Sequence, residues 1–201
     1  AALIASLPLV SVLGMLWIYQ ETSDVERIAS HAEATFWLVL PSLPMFLLLP
    51  AMLNLGLSGV PFVTHDIAGF SSSTVPPSTK EVFLRWTELG AFTPIMRTHD
   101  GNKKLDNWAW DSDEETIAHF RRFARIHRAL GPELRALAAE ARETSAPMVR
   151  HPVLVFPDEP AARTVKDEFL LGDSLLVAPV VEGGATTREL WLPPGTWYDV
   201  W

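Results

Sequence analysis

LNLGLSGVPFVTHDIAGF, residues 53–70, passes from apolar residues at helical spacing through Gly59 into the short apolar run Val60–Val63. A short apolar run bounded by glycine and polar side chains predicts a fully buried strand, of the kind a parallel sheet covers on both faces. Thr64-His65-Asp66 follows it. The same order then repeats. SSSTVPPST (71–79) reads as a loop, and Val82, Phe83, Trp86 and Leu89 predict a helix from Ser78 or Thr79 to Gly90. Ala91–Met96 predicts a second strand, and Arg97–Asp106 a polar loop that opens with Arg97-Thr98-His99-Asp100.

Acidic residues at Asp111–Glu115 predict the N-terminal turn of a further helix, where carboxylates meet unpaired backbone N–H groups. Ile117, Phe120, Phe123 or Ala124, and Ile126 or His127 give that helix an apolar face. Gly131-Pro132 breaks it, and a second helix is predicted over roughly 132–143. From about Ser145 the pattern changes. Short apolar runs recur at Val153–Phe156, Phe169–Leu171, Leu175–Val181 and Glu189–Leu192, separated by Pro, Gly and Asp with no helical stretch between them. That spacing predicts an antiparallel sandwich or barrel.

The 201 residues carry 16 Lys+Arg against 24 Asp+Glu, a net charge of -8, which excludes a general nucleic-acid binder. The chain has no cysteine, which removes disulfides, thiolate nucleophiles and Cys-ligated metals. Composition leaves the compartment open, the cytoplasm being slightly favoured. Charge is unevenly spread. Residues 1–62 hold four acids (Glu21, Asp24, Glu26, Glu33) and one base (Arg27). Residues 1–19 are uncharged and about the length of a membrane span, ~20 residues. No basic segment precedes them, as a signal peptide would require. Pro41, Pro44 and Pro50 interrupt the uncharged stretch 34–57. A buried helix, or sequence foreign to the native fold, is the favoured reading of 1–19 over a membrane anchor.

In a parallel α/β layout, function gathers at the C-terminal strand ends. Two polar clusters fall there: Thr64-His65-Asp66 and Arg97-Thr98-His99-Asp100. They suit a metal site, an acid/base pair or a polyol-binding rim. The plainer readings are a turn cap for Asp66, a loop ion pair for Arg97 and a loop histidine at His65. His119 and His127 read as packing or helix-surface residues. Trp108 and Trp110 suit either sugar stacking or a core. GxGxxG, P-loop, GxSxG and HExxH patterns are absent.

Three stretches carry a resemblance. GLSGVPFVTHDIAGF (56–70) resembles the Asp-Ile-Gly-Gly-Phe segment of glycoside hydrolase family 31, the α-glucosidase and α-xylosidase family. LRWTELGAFTPIMRTHDGN (84–102) resembles its Arg-Trp, Leu-Gly-Ala-Phe and Arg-x-His run. PMVRHPVLVFPDEP (147–160) and DEFLLGDSLLVAPVVEGGATTRELWLPPGTWYDVW (167–201) resemble the start of its C-terminal β-sandwich. The resemblance implies the C-terminal portion of a TIM (β/α)8 barrel over 49–145 and the beginning of an all-β sandwich over 146–201. Residues 1–48 are an apolar segment without family resemblance.

The resemblance further implies a retaining α-glycoside hydrolase, needing a carboxylate nucleophile and a second carboxyl group about 5–5.5 Å apart and no cofactor. It matches Asp66, Arg97 and His99 to sugar-binding positions of the -1 subsite, and Phe70 and Trp86 to packing positions. The run from Met96 to Asn102, with Asp106-Asn107-Trp108 and Asp111-Ser112-Asp113 after it, is especially similar to the sulfoquinovosidase-type branch. The chain departs from the pattern at the acid/base. The matching window, near 30–37, reads SHAEATFW and offers only Glu33, a displaced carboxylate. The nucleophile is expected upstream of this chain, and no metal is expected. A misread reading frame over 1–48 would produce such an abrupt onset, as would a divergent insertion. The expectation is therefore a hydrolase fragment that binds an α-glycoside and is itself inactive, with a non-catalytic carbohydrate-binding relative as the alternative.

Overall fold

The computed structural model describes residues 45–69, 77–99 and 107–201. Glu33, Asp24, Phe70, Asp100 and Asp106, and the uncharged stretch 1–19, lie outside the described residues. Among the described residues no helix is long and apolar enough to cross a membrane.

Helix α1, Met45–Leu57, buries Leu48, Leu49, Met52 and Leu53. It contains Pro50, a residue that on sequence grounds predicts an interruption. One missing N–H weakens a helix, but this helix buries a whole apolar row, and at ~1.5–3 kcal/mol per large side chain that burial outweighs the lost bond. The helix ends in a left-handed turn. Gly59 has φ +88°, Val60 N–H reaches Leu55 O at 3.0 Å, and Gly59 N–H reaches Gly56 O at 3.1 Å. Such a C-terminal turn sends the chain sharply away from the helix axis.

Strand β1, His65–Asp66, and strand β2, Met96–Arg97, pair in parallel, with His65 opposite Met96 and Asp66 opposite Arg97. Helix α2, Lys80–Gly90, makes the crossover between them, starting at Thr79, whose hydroxyl accepts the Val82 N–H. The ladder lies later in the chain than the apolar runs predicted. Over Val60–Val63, Pro61 lacks a donor and its carbonyl takes the Met148 N–H instead. Over Ala91–Met96, the N–H groups of Ala91, Phe92 and Thr93 close the end of α2, so only Met96 reaches the strand.

Helix α3, Glu114–Ala129, starts at Asp113, whose carboxylate accepts the Thr116 N–H at 2.7 Å. Helix α4, Gly131–Thr144, follows directly, with Pro132 in its first turn, where a missing N–H is harmless. Both match the predicted helices.

Beyond α4, strands β3 (Val149–Arg150), β4 (Phe169–Leu171) and β5 (Leu175–Val177) form an antiparallel sheet in the order β3-β4-β5. Two predicted strands are corrected. Pro152–Val155 is a short helix, α5, because Pro152 is preset for a first helical position and His151 Nδ1 accepts the Val153 N–H. A 3-10 turn over Pro160–Arg163 adds further helical structure where the sequence pattern beyond Ser145 predicts none. Glu189–Leu192 joins no ladder, since the Trp191 N–H is taken by the Glu168 carboxylate at 3.0 Å.

The two parts share one core. Phe83, Trp86 and Leu89 of α2, the α1 row, Leu134 and Leu137 of α4, and Phe169 and Leu171 of β4 form one buried cluster. Gly56 lets α1 close on β3: a Cβ there would meet Val149 O at 3.2 Å and Pro147 Cβ at 3.3 Å.

Candidate active site

The parallel pair fixes the site. Its register is held on both sides, by Thr64 Oγ1 donating to Ile95 O at 2.7 Å and by Ile67 N–H donating to Arg97 O at 3.0 Å. Asp66 and Arg97 are thereby direct cross-strand partners, and the Arg97 Nε–H donates to Asp66 Oδ1. His99, two residues beyond Arg97, completes the group. Its Nδ1 lies 2.9 Å from Arg97 Nη2 and 3.5 Å from Asp66 Oδ2. The three residues matched to sugar-binding positions, Asp66, Arg97 and His99, therefore meet at one point.

Asp66 plays two separate parts. Its carbonyl accepts the Gly69 N–H at 3.0 Å, closing the Asp66–Gly69 turn, while its carboxylate is used on Arg97. The side chain is thus not the turn cap that its position suggested. Within this turn Ala68 has φ +61°, where an L side chain crowds its own backbone.

His65 is not a loop histidine. Successive strand residues point to opposite faces, so His65 leaves Asp66 and enters the core beneath it. Its ring meets Trp86 edge-on at 5.2 Å, and among the described residues neither ring nitrogen has a hydrogen-bond partner of normal geometry. Burial lowers its pKa to about 4, so the ring is neutral at pH 7.

A cleft of about 490 Å³ opens beside His99. Thr98, the Ile67–Gly69 turn, Ser78, and Asn107 through Asp111 help to line it. The segment from Asn107 is tied to the start of α2, because Asn107 Oδ1 accepts the Ser78 N–H at 3.0 Å and the Trp108 N–H reaches Ser78 Oγ at 3.1 Å. The two tryptophans differ. Trp108 is packed against the core with its Nε1–H on Thr116 Oγ1 at 3.0 Å, whereas Trp110 is half exposed at the cleft. Sequence reasoning missed Ser78 as a site residue; the only available signal was its place before the Thr79 cap.

Lys80 locks the entrance of α2 to that of α3, reaching Asp113 at 2.7 Å and Glu115 at 2.6 Å. Hydrogen bonds from Lys80 and Thr116 hold the Asp113 carboxyl down at about 2. His119 and His127 act in packing, each ring facing a backbone oxygen (Leu84 O at 3.2 Å, Ala91 O at 3.0 Å). Among the described residues no three His, Asp or Glu side chains come together as a metal site. The group at Asp66 has a carboxylate, a guanidinium and an imidazole in mutual contact. Such a set binds hydroxyl groups or anionic oxygens by charged hydrogen bonds.

Residues 44–136 match the family model for the glycosyl hydrolases family 31 TIM-barrel domain, and residues 145–201 match that for the glycosyl hydrolase family 31 C-terminal domain. A separate model, described as BV97_02767-like, matches residues 1–73. A sulfoquinovosidase of Agrobacterium fabrum is 44% identical over 150 residues, which are 74% of this chain and 23% of that protein. An alpha-glucosidase 2 of Bacillus thermoamyloliquefaciens is 37% identical over 155 residues, 76% of this chain and 19% of its own length. Among solved structures, a GH31 family sulfoquinovosidase from E. rectale in complex with an aza-sugar inhibitor superposes with TM-score 0.71 at 31% identity, covering 74% of this chain and 22% of that one. The chain spans about a fifth of the length of these relatives. The parallel β1-α2-β2 unit with its helices is the C-terminal part of a TIM barrel, and the β3-β4-β5 sheet begins the domain that follows it. Through these two segments the chain belongs to glycoside hydrolase family 31.

Proposed function

We propose that this chain supplies the sugar-binding edge of the -1 subsite of a retaining α-glycoside hydrolase, through Asp66, Arg97 and His99. The observation that carries the reading is the joining of these three side chains at the C-terminal ends of a parallel strand pair, inside a family 31 barrel segment. Strand ends of this kind are where barrel enzymes gather their chemistry. The nucleophile comes from sequence other than these 201 residues, and Glu33 is the chain's candidate for a displaced acid/base. The division is an apolar segment over 1–48, barrel over 49–145 and β-sandwich over 146–201. Retaining chemistry needs both carboxyl groups, so the chain alone binds without turning over.

The test is titration of the 201-residue chain with methyl α-D-glucoside, alongside His99→Ala, and an assay on a nitrophenyl α-glucoside. Binding that disappears in the variant, with no hydrolysis by either, is the expected result. Turnover by the isolated chain contradicts it. A narrower reading is favoured by the similarity to sulfoquinovosidases, namely that the natural glycone is a sulfonated glucose. Tighter binding of methyl α-sulfoquinovoside than of methyl α-glucoside is then expected, and the reverse order discards the narrower reading.

A further inference from the structure

Within the sugar-binding group the three side chains are unequally placed. Asp66 is 1% exposed, Arg97 36% and His99 48%, so the anion lies deepest and the imidazole nearest solvent. His99 lines the cleft, while Asp66 stands behind it. Asp66 Oδ1 takes the Arg97 Nε–H, which sets the plane of the guanidinium. That plane brings Nη2 to 2.9 Å from His99 Nδ1. A guanidinium nitrogen only donates, so Nδ1 must accept, and a neutral imidazole that accepts at Nδ1 carries its proton on Nε2. The competing arrangement, Nδ1–H donating to Asp66 Oδ2, has the longer separation of 3.5 Å, and the two arrangements exclude each other.

We propose that Asp66 is a positioning residue: it does not touch the sugar, but through Arg97 it fixes His99 as the tautomer with Nδ1 bare and Nε2 protonated. Resting on the sugar-site reading above, this makes His99 a hydrogen-bond donor toward a glycone oxygen, a hydroxyl or a sulfonate. Asp66 differs in this from the family-matched role of direct sugar contact. The strand register supplies the rigidity, because Asp66 and Arg97 sit opposite one another in the ladder and neither can slide along the strand.

Proton-detected nitrogen-15 spectra of the His99 ring in the full 201-residue chain test this, with the signal assigned by its loss in His99→Gln. The parent is expected to show a protonated Nε2 and a bare Nδ1. Asp66→Asn, which keeps the shape and removes the charge, should convert this to a mixture of both tautomers and weaken methyl α-D-glucoside binding about tenfold. Should Asp66→Asn fail to fold, Arg97→Lys, which keeps the cation and loses the second donor nitrogen, must shift the tautomer in the same way. A parent with Nδ1 protonated overturns the proposal, as does a variant that folds with the tautomer unchanged. Absence of glucoside binding by the parent overturns the sugar-site reading alone, since the tautomer spectra are read without any sugar.

Discussion

The barrel part and the sheet part each contain an arginine clamped by side chains from other elements, but the burial is reversed. At the parallel pair the carboxylate of Asp66 is buried and Arg97 and His99 are partly exposed. In the sheet, Arg150 is buried while its partners Glu140, at 2.7 Å, and Asp173 face solvent. Arg150 Nε also donates to Pro147 O at 2.9 Å, so one guanidinium ties α4, the approach to β3 and the β4–β5 turn. A buried anion with exposed donors presents hydrogen-bonding groups to a ligand. A buried cation with exposed acids faces its bonding inward, and acts as a staple.

The largest effect expected from this contrast is in Arg97→Met. It leaves the Asp66 charge buried without its main partner, and removing one member of a buried pair costs about 3–5 kcal/mol. Urea denaturation of the chain measures it, and a loss below about 1 kcal/mol would mean that Asp66 is not held as a buried anion.

Next in size is the acid limb of the barrel part. His65 has its folded pKa lowered from 6.5 to about 4, so its stabilising contribution is complete above pH 6.5 and is lost as pH falls toward 4. The loss comes to roughly 3 kcal/mol. His65→Phe should flatten that limb in thermal melts taken from pH 7 to pH 4, and an unchanged limb would place the acid sensitivity elsewhere. The sheet part works in the opposite direction. Burial raises the Glu168 pKa, so this residue favours folding at low pH and that contribution fades as pH rises through the raised value.

Arg150→Met in the sheet should cost about 1 kcal/mol or less, because its abandoned carboxylates are already solvated and the methionine refills the space. Equal losses for Arg150→Met and Arg97→Met would erase the distinction between staple and site. Smallest is Ala68→Gly in the Asp66–Gly69 turn, expected to stabilise by about 0.5–1 kcal/mol, since glycine takes φ +61° without crowding. A destabilised variant in the same melts would show that the turn's strain is already relieved.

Much of this was legible in the chain itself. The helices α2, α3 and α4 were readable because Thr79, Asp113 and Pro132 mark their starts and the apolar spacing marks their faces. Asp66, Arg97 and His99 were readable as residue types at strand ends. Less legible were the strands. Apolar runs mark burial, not pairing, and Pro61 and the closing turn of α2 moved both ladders two or more residues downstream. Val153–Phe156 looked like a strand for the same reason, until Pro152 and His151 made it a helical turn.

Sequence alone thus determined the family pattern, the helices and the identity of the polar residues, because these depend on local chemistry and spacing. Tertiary structure decided which of two neighbours, His65 or Asp66, faces the site, since the pleat sends them to opposite sides and one register step would exchange them. It also decided that Asp66 lies behind Arg97 and His99. That order in depth comes from pairing residues 31 apart in the chain, and no local pattern encodes it.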